Sequence, residues 1–157
     1  MVLSSDEGMR AGTTVESLAK LRPVFDPNGA VTAGNASTLN DGASAVLIAE
    51  AGFAKTQGWD IIATIEDYVT SGVEPARVMS APIPAVKSLL ERNNLGVLDV
   101  DVYEHNEAFA SASCAVAQEV GIPDDRFNLH GGAVSLGHPL GASGTRCLIT
   151  MLGVMRR

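Results

Sequence analysis

The sequence has few aromatic, cysteine and charged residues for its length. Aromatic residues make up 4% of its 157 positions and charged residues 18%, against 46% hydrophobic residues. Its two cysteines, Cys114 and Cys147, lie in apolar, small-residue stretches, which predicts inert reduced thiols and no disulfide framework. No apolar run reaches the roughly 18 residues of a membrane span, and the N-terminus has no signal-peptide pattern. These absences predict a soluble, cytoplasmic protein with an aliphatic core.

The charge balance is acidic. The chain carries 11 lysine and arginine residues and 18 aspartate and glutamate residues, a formal net charge of −7. Nucleic-acid-binding proteins carry a basic stripe, which this sequence lacks, so we expect no nucleic-acid partner. An anionic ligand would need local cations to offset the long-range repulsion.

Predicted strands alternate with predicted helices, which is typical of the α/β class. Hydrophobic patterning and turn residues predict strands at 43–49, 61–72 and 100–103. Helices are predicted at 5–28, 53–57, from Pro82 to about Asn93, 108–117 and 141–154. The last two lack a wide polar face, which favours helices buried between sheets.

One glycine-rich segment, GGAVSLGHPLGASG (131–144), surrounds a histidine. It contains no lysine, which excludes the usual phosphate-binding loop. Pro139 stiffens the chain beside His138, and the glycines allow close backbone contact on both sides. The pattern favours a catalytic base or an oxyanion donor at His138. The alternative is a histidine that only packs.

A second polar cluster, HNEAFA (105–110), directly follows the predicted strand at 100–103. Asn106 is a good helix N-cap, which is a sufficient structural explanation for it. Polar groups at the carboxyl end of a buried strand are, however, where α/β proteins place their sites. Asn106 is therefore also a candidate site residue.

These two motifs, together with AGNASTLNDGASAV (33–46) and DEGMRAGTTVESLAKLRPVF (6–25), resemble the C-terminal portion of a thiolase. The resemblance implies a fold in which two α/β halves stack in five layers. This chain would be the C-terminal half, a mixed sheet with buried helices, lacking the N-terminal half and the final strands. It divides into 1–38, the end of a loop region that contacts coenzyme A (CoA), and 39–157, a C-terminal domain truncated at its end.

The resemblance implies an acyltransferase of fatty acid metabolism. Thiolases condense two acetyl-CoA to acetoacetyl-CoA or cleave 3-ketoacyl-CoA with CoA. His138 would activate the nucleophilic cysteine and donate to the thioester oxyanion, and Asn106 would hold a water that completes this oxyanion hole. CoA thioesters are substrates, and no cofactor or metal is expected. The residues that resemble CoA-binding positions are Arg10, Ser17, Ser37, Met79 and Phe109.

The departures from the family pattern are large. The nucleophilic cysteine belongs to an N-terminal half that this chain lacks, and the second catalytic cysteine belongs to a loop beyond its last residue. Cys114 and Cys147 match neither position, and His105 and His130 are assigned no catalytic role. The isolated chain is therefore predicted to be inactive, although the motifs of the base and the oxyanion site are intact.

Three interpretations stay open: a fragment of a thiolase, a subunit that needs a partner chain with the nucleophilic cysteine, and a non-catalytic module for acyl-CoA or lipid. An α/β domain whose glycine loop only packs is the bland alternative. We expect a homo-oligomer or a complementary N-terminal half as partner. The sequence predicts that Asn106 and His138 share one cleft and that the lone chain exposes an apolar face.

Overall fold

The computed structural model describes residues 4–6 and 8–156. Residues 1–3, 7 and 157, which belong to the predicted segments 1–38 and 39–157, lie outside the described residues. The α-helices of the described part are α1 (Val15–Leu18), α2 (Ala51–Thr56), α3 (Pro82–Arg92), α4 (Ala110–Val120), α5 (Ala133–Leu136) and α6 (Ser143–Met155). Short 3-10 helices lie at Pro75–Ser80, Val97–Asp99 and Asp124–Arg126.

The predicted helices are present, with one correction. Helix α3 begins at prolines, whose fixed φ suits the first turn of a helix. Helix α4 ends at Gly121, which adopts the left-handed conformation common at helix C-termini. The helix predicted at 5–28 has only the four residues of α1 in the described part. Thr14 caps it through a capping box, but none of its residues is buried, so no packing extends the helix before Pro23.

The core lies between α3 and α4 and is small. Its buried members are Val116, Val120 and Ile122, and Val116 is only 1% exposed. Partly buried side chains pack around them: Ile83, Val86, Leu90, Val97, Tyr103, Ala117 and Phe127. Because α4 directly follows the HNEAFA motif, this core fixes the position of that motif.

The three predicted strands do not form a sheet in the described part of the chain. Segments 43–49 and 61–72 contain neither a strand nor a bridge, and segment 100–103 has only the isolated bridge between Tyr103 and Phe127. A strand exists only when another backbone pairs with it, and no described segment supplies that backbone. Their side chains are correspondingly exposed, with Leu47 at 80% and Ile65 at 60%.

Much apolar surface is uncovered. The chain has 11414 Å² of accessible surface, whereas a compact monomer of 16.3 kDa has about 7,500 Å². Helix α4, predicted to be buried on most sides, presents the exposed stripe Ser111, Cys114, Ala115 and Gln118. Cys114 is therefore not buried in packing, because no described segment covers this face. Among the described residues, no helix is both long and apolar enough to cross a membrane.

Candidate active site

The glycine-rich segment packs directly on the HNEAFA motif. The backbone N–H of Ala133 donates to the Asn106 carbonyl oxygen at 2.9 Å, and the N–H of Val134 donates to Glu107 Oε2 at 3.3 Å. Helix α5 then ends at Gly137, and His138 follows. Two segments about 30 residues apart in sequence are thereby joined at the start of α4.

Asn106 and His138 come together, as the sequence predicts. Asn106 Nδ2 lies 3.2 Å from His138 Nε2 and 3.5 Å from His138 Nδ1. Both side chains are half-buried. A donor nearly equidistant from both ring nitrogens lies against the N–C–N part of the imidazole, so it does not occupy the in-plane lone-pair direction of Nε2.

The polar loop at 33–46 holds His138 from the other side. The His138 N–H donates to the Thr38 carbonyl oxygen at 3.2 Å and to Asn40 Oδ1 at 3.1 Å. Gly137 makes this approach possible, because its φ is +88° and a Cβ there would lie 2.6 Å from Asn40 Oδ1. A glycine is thus required next to the histidine both by backbone conformation and by space.

Helix α6 contributes two polar side chains to the site. His138 Nδ1 lies 2.7 Å from Ser143 Oγ, and Ser143 is only 3% exposed. Arg146 Nη2 donates to Asn106 Oδ1 at 2.9 Å. Arg146 is the only charged residue of α6, and its guanidinium contacts the site through Asn106.

Glu104 is the charged group that faces Arg146. Among the described residues, neither of its carboxylate oxygens has a hydrogen-bond partner, and both are buried, as are Nε and Nη1 of Arg146. Burial raises the pKa of Glu104, and the positive charge of Arg146 opposes that shift in part. The site therefore contains a buried carboxyl group, that of Glu104, near the Arg146 guanidinium but without a direct hydrogen bond to it.

Neither cysteine hydrogen-bonds to the imidazole in the described part of the chain. Cys147 does contact the site, because its Sγ lies 3.9 Å from Asn106 Oδ1. Burial raises the pKa of Cys147. The charge of Arg146 lowers this pKa to a smaller extent, and the charge of Glu104 raises it, so the thiol form is favoured. Cys114 is exposed on α4.

Two of the five predicted CoA-binding residues lie next to the site. The Ser37 N–H donates to the Ala108 carbonyl oxygen at 3.0 Å, and the Ala110 N–H donates to the Asn35 carbonyl oxygen at 2.9 Å. Phe109 therefore lies beside the 33–46 loop, and its ring packs edge-on against Phe25 with centroids 6.0 Å apart. The loop thus contacts both the HNEAFA motif and the glycine-rich segment.

The other three, Arg10, Ser17 and Met79, are exposed. No hydrogen bond of the described residues joins them to Asn106 or His138. Ser17 is engaged in the capping box of α1. A groove of about 350 Å³ is lined by 40–44 and 139–142, and its lining includes neither His138 nor Asn106.

The other histidines behave differently from His138. His105 stacks on Phe127 at 6.1 Å and lies 2.7 Å from Ser113 Oγ, and burial lowers its pKa. It braces the start of α4. His130 is exposed and makes no side-chain hydrogen bond in the described part of the chain, so it does not brace the glycine turn.

Sequence reasoning missed Ser143, Arg146, Glu104 and the His138-binding pair Thr38 and Asn40. A signal for two of them was available, because Ser143 and Arg146 are polar residues three positions apart in a helix whose remaining residues, apart from two threonines, are apolar or glycine. Residues at i and i+3 share a helix face. That face points to the site.

The geometry is that of a histidine–amide pair between a glycine loop and a helix start, and the comparisons identify the class of protein that has it. The family model described as "Thiolase, C-terminal domain" matches residues 59–157, and the model described as "Thiolase, N-terminal domain" matches residues 1–52. The chain belongs to the thiolase family.

Individual relatives agree over nearly the whole chain. An acetyl-CoA acetyltransferase of Pseudomonas aeruginosa is 50% identical over 153 residues, 98% of this chain and 39% of that protein. The crystal structure of a Bacillus anthracis acetyl-CoA acetyltransferase has a TM-score of 0.93 at 39% identity, covering 100% of this chain and 40% of the other. The human mitochondrial 3-ketoacyl-CoA thiolase in complex with CoA has a TM-score of 0.91 at 42% identity, covering 97% and 38%.

The chain thus spans about two fifths of the length of these relatives. The high TM-scores show that it follows the thiolase fold over that span, including the segments that lack partner strands here. The predicted family and fold are confirmed. The division into 1–38 and 39–157 stays a prediction.

Proposed function

We propose that this chain supplies the histidine base and part of the oxyanion site of a thiolase, which condenses two acetyl-CoA or cleaves a 3-ketoacyl-CoA with CoA. The observation that carries the proposal is the approach of Asn106 Nδ2 to within 3.2 Å of His138 Nε2. An imidazole and an amide this close together can act on one carbonyl oxygen, the amide through a water that it holds.

The proposed chemistry uses His138 twice. The imidazole takes the proton of a cysteine thiol, and the thiolate attacks the thioester carbonyl carbon while the carbonyl electron pair moves to oxygen. The resulting imidazolium N–H and a water held by the Asn106 amide then donate toward the oxyanion, which collapses as the CoA thiolate leaves. The thiol comes from a segment outside this chain, because neither Cys114 nor Cys147 hydrogen-bonds to His138.

The activity test is complementation. The 157-residue chain alone should not cleave acetoacetyl-CoA with CoA. Addition of a chain carrying the rest of a thiolase, including both catalytic cysteines, should restore cleavage, and His138→Ala should abolish it. His130→Ala is the matched control, because that histidine is exposed and makes no side-chain hydrogen bond in the described part. Turnover by the chain alone, lost on Cys147→Ser, would overturn the proposal.

We further propose that Ser37, Met79 and Phe109 contact the pantetheine and acyl end of CoA, and that Arg10 and Ser17 contact the nucleotide end. Calorimetry with CoA should show weak binding that Arg10→Ala reduces further. Arg22→Ala is the charge-matched control, since Arg22 is also exposed. Equal effects of the two variants would mean that only the general charge matters. CoA binding without any activity after complementation would favour the non-catalytic module.

Association and location belong to the same proposal. The uncovered apolar segments favour a second copy or a complementary N-terminal half as partner. A role in fatty acid metabolism in the cytoplasm accords with acyl-CoA chemistry and reduced cysteines. Analytical ultracentrifugation that finds a monomer with no dye-accessible apolar surface would contradict the association.

A further inference from the structure

We propose that Ser143 and Arg146, on one face of α6, are positioning residues that set the tautomer of His138 and the orientation of the Asn106 amide. The inference rests on the proposed function, because it explains how the base and the oxyanion donor are prepared. Each residue contacts a different member of the pair, and the two lie three positions apart on one helix.

The proton on the His138 ring follows from the contacts of Ser143. Ser143 Oγ lies 3.1 Å from the Pro139 carbonyl oxygen and 2.7 Å from His138 Nδ1. A carbonyl oxygen can only accept, so the single hydroxyl proton of Ser143 is directed at Pro139. The hydroxyl oxygen then accepts from Nδ1–H. In the neutral ring this leaves the lone pair on Nε2, which is the nitrogen that a base needs to present.

The orientation of the Asn106 amide follows from Arg146 in the same way. A guanidinium has donors and no acceptor, so the atom 2.9 Å from Arg146 Nη2 must be the amide oxygen. The thiol of Cys147, 3.9 Å from the same oxygen, agrees with this assignment. The amide nitrogen is thereby turned toward His138. Without the guanidinium, the acceptor end of the amide would lose its strongest donor.

The first test is nuclear magnetic resonance of the 157-residue chain, which needs no activity. Long-range ¹⁵N–¹H spectra, recorded where the imidazole is neutral, should show His138 as the Nδ1–H tautomer. Its signals are assigned through His105→Gln and His130→Gln. Ser143→Ala should shift the population toward Nε2–H. Ser135→Ala is the matched control, because its hydroxyl also donates to a preceding backbone carbonyl, that of Gly132, but hydrogen-bonds to no imidazole.

The same spectra test Arg146. Arg146→Met should weaken the cross-relaxation between the Asn106 amide protons and the His138 ring, with the tautomer unchanged, and Arg146→Lys should restore part of it. An Nε2–H tautomer in the unaltered chain, or a Ser143→Ala spectrum identical to that of Ser135→Ala, would overturn the assignment of Ser143. An Asn106–His138 contact that survives Arg146→Met would overturn that of Arg146.

A kinetic measurement covers the case in which the variants disturb the lone chain. In the complemented enzyme, Ser143→Ala should lower kcat by at least about tenfold with KM nearly unchanged, since a wrong tautomer disables the base and not substrate binding. An unchanged kcat would refute the positioning role. Failure of the proposed function is a different result: an active complemented enzyme that does not require His138.

Discussion

Gly132→Ala tests how the HNEAFA motif and the glycine-rich segment are held together. A Cβ at Gly132 would overlap the Glu107 side chain and lie 2.9 Å from Asn128 Nδ2. The backbone itself would not object, because φ of −107° and ψ of −162° suit alanine. The cost is therefore steric, and it falls at the point where the glycine segment packs on the HNEAFA motif.

The magnitude follows from overpacking. Forcing one methyl group into a filled site costs about 1–3 kcal/mol in free energy of unfolding. With an m value of about 2 kcal/mol per molar urea, the midpoint of unfolding should fall by about 1 M. The Asn106–His138 contact should also loosen, since the neighbouring Ala133 N–H is bonded to the Asn106 carbonyl oxygen.

Gly144→Ala is the matched control with the opposite sign. Gly144 lies in α6, and nothing lies within 4 Å of a Cβ built there. Alanine in a helix is favoured over glycine by about 1 kcal/mol, so the urea midpoint should rise. If the two substitutions move the midpoint in the same direction, close packing at Gly132 is not what joins the motifs.

Three further predictions concern stability and reactivity. Val116→Ala should cost about 1–3 kcal/mol in urea unfolding, because it removes two buried carbons, while the exposed Val15→Ala should stay within about 0.5 kcal/mol. The raised pKa of Glu104 favours its protonated form, so its contribution to stability is present below the ordinary value of 4.5 and is lost as pH rises through the raised pKa. The melting temperature should therefore fall as pH rises above 4.5, and Glu104→Gln should make this fall smaller. An unchanged dependence of the melting temperature on pH in the variant would contradict the prediction. A thiol reagent should modify Cys114 in a fast phase that Cys114→Ser removes, and Cys147 slowly, because burial raises its pKa.

Helices were predictable where residues with a strong local conformational preference mark their ends. Prolines open α3, and Gly121 ends α4, where a left-handed φ is needed. Helix α1 shows the limit of such signals. Thr14 caps it, but a cap does not determine length, and a helix that buries no face ends after one turn.

The site was predictable in its motif residues and not in their supports. Asn106 and His138 belong to short stretches whose composition alone indicates a functional site. Ser143 and Arg146 gain their meaning only when α6 folds back beside them, because the partners that they orient lie up to 40 residues away. A polar residue in an apolar helix was the only local sign.

The same physical distinction separates the site from the sheet. Every hydrogen bond that positions His138 has both partners inside this chain: Thr38, Asn40 and Ser143. The site can therefore take its geometry here. A strand is different, since alternation or an apolar run states only that a segment can pair, and the pairing backbone must come from somewhere else. Segments 43–49 and 61–72 keep their apolar side chains exposed for that reason. Pattern alone can thus predict that a segment favours a strand, but the strand forms only where a second backbone is present.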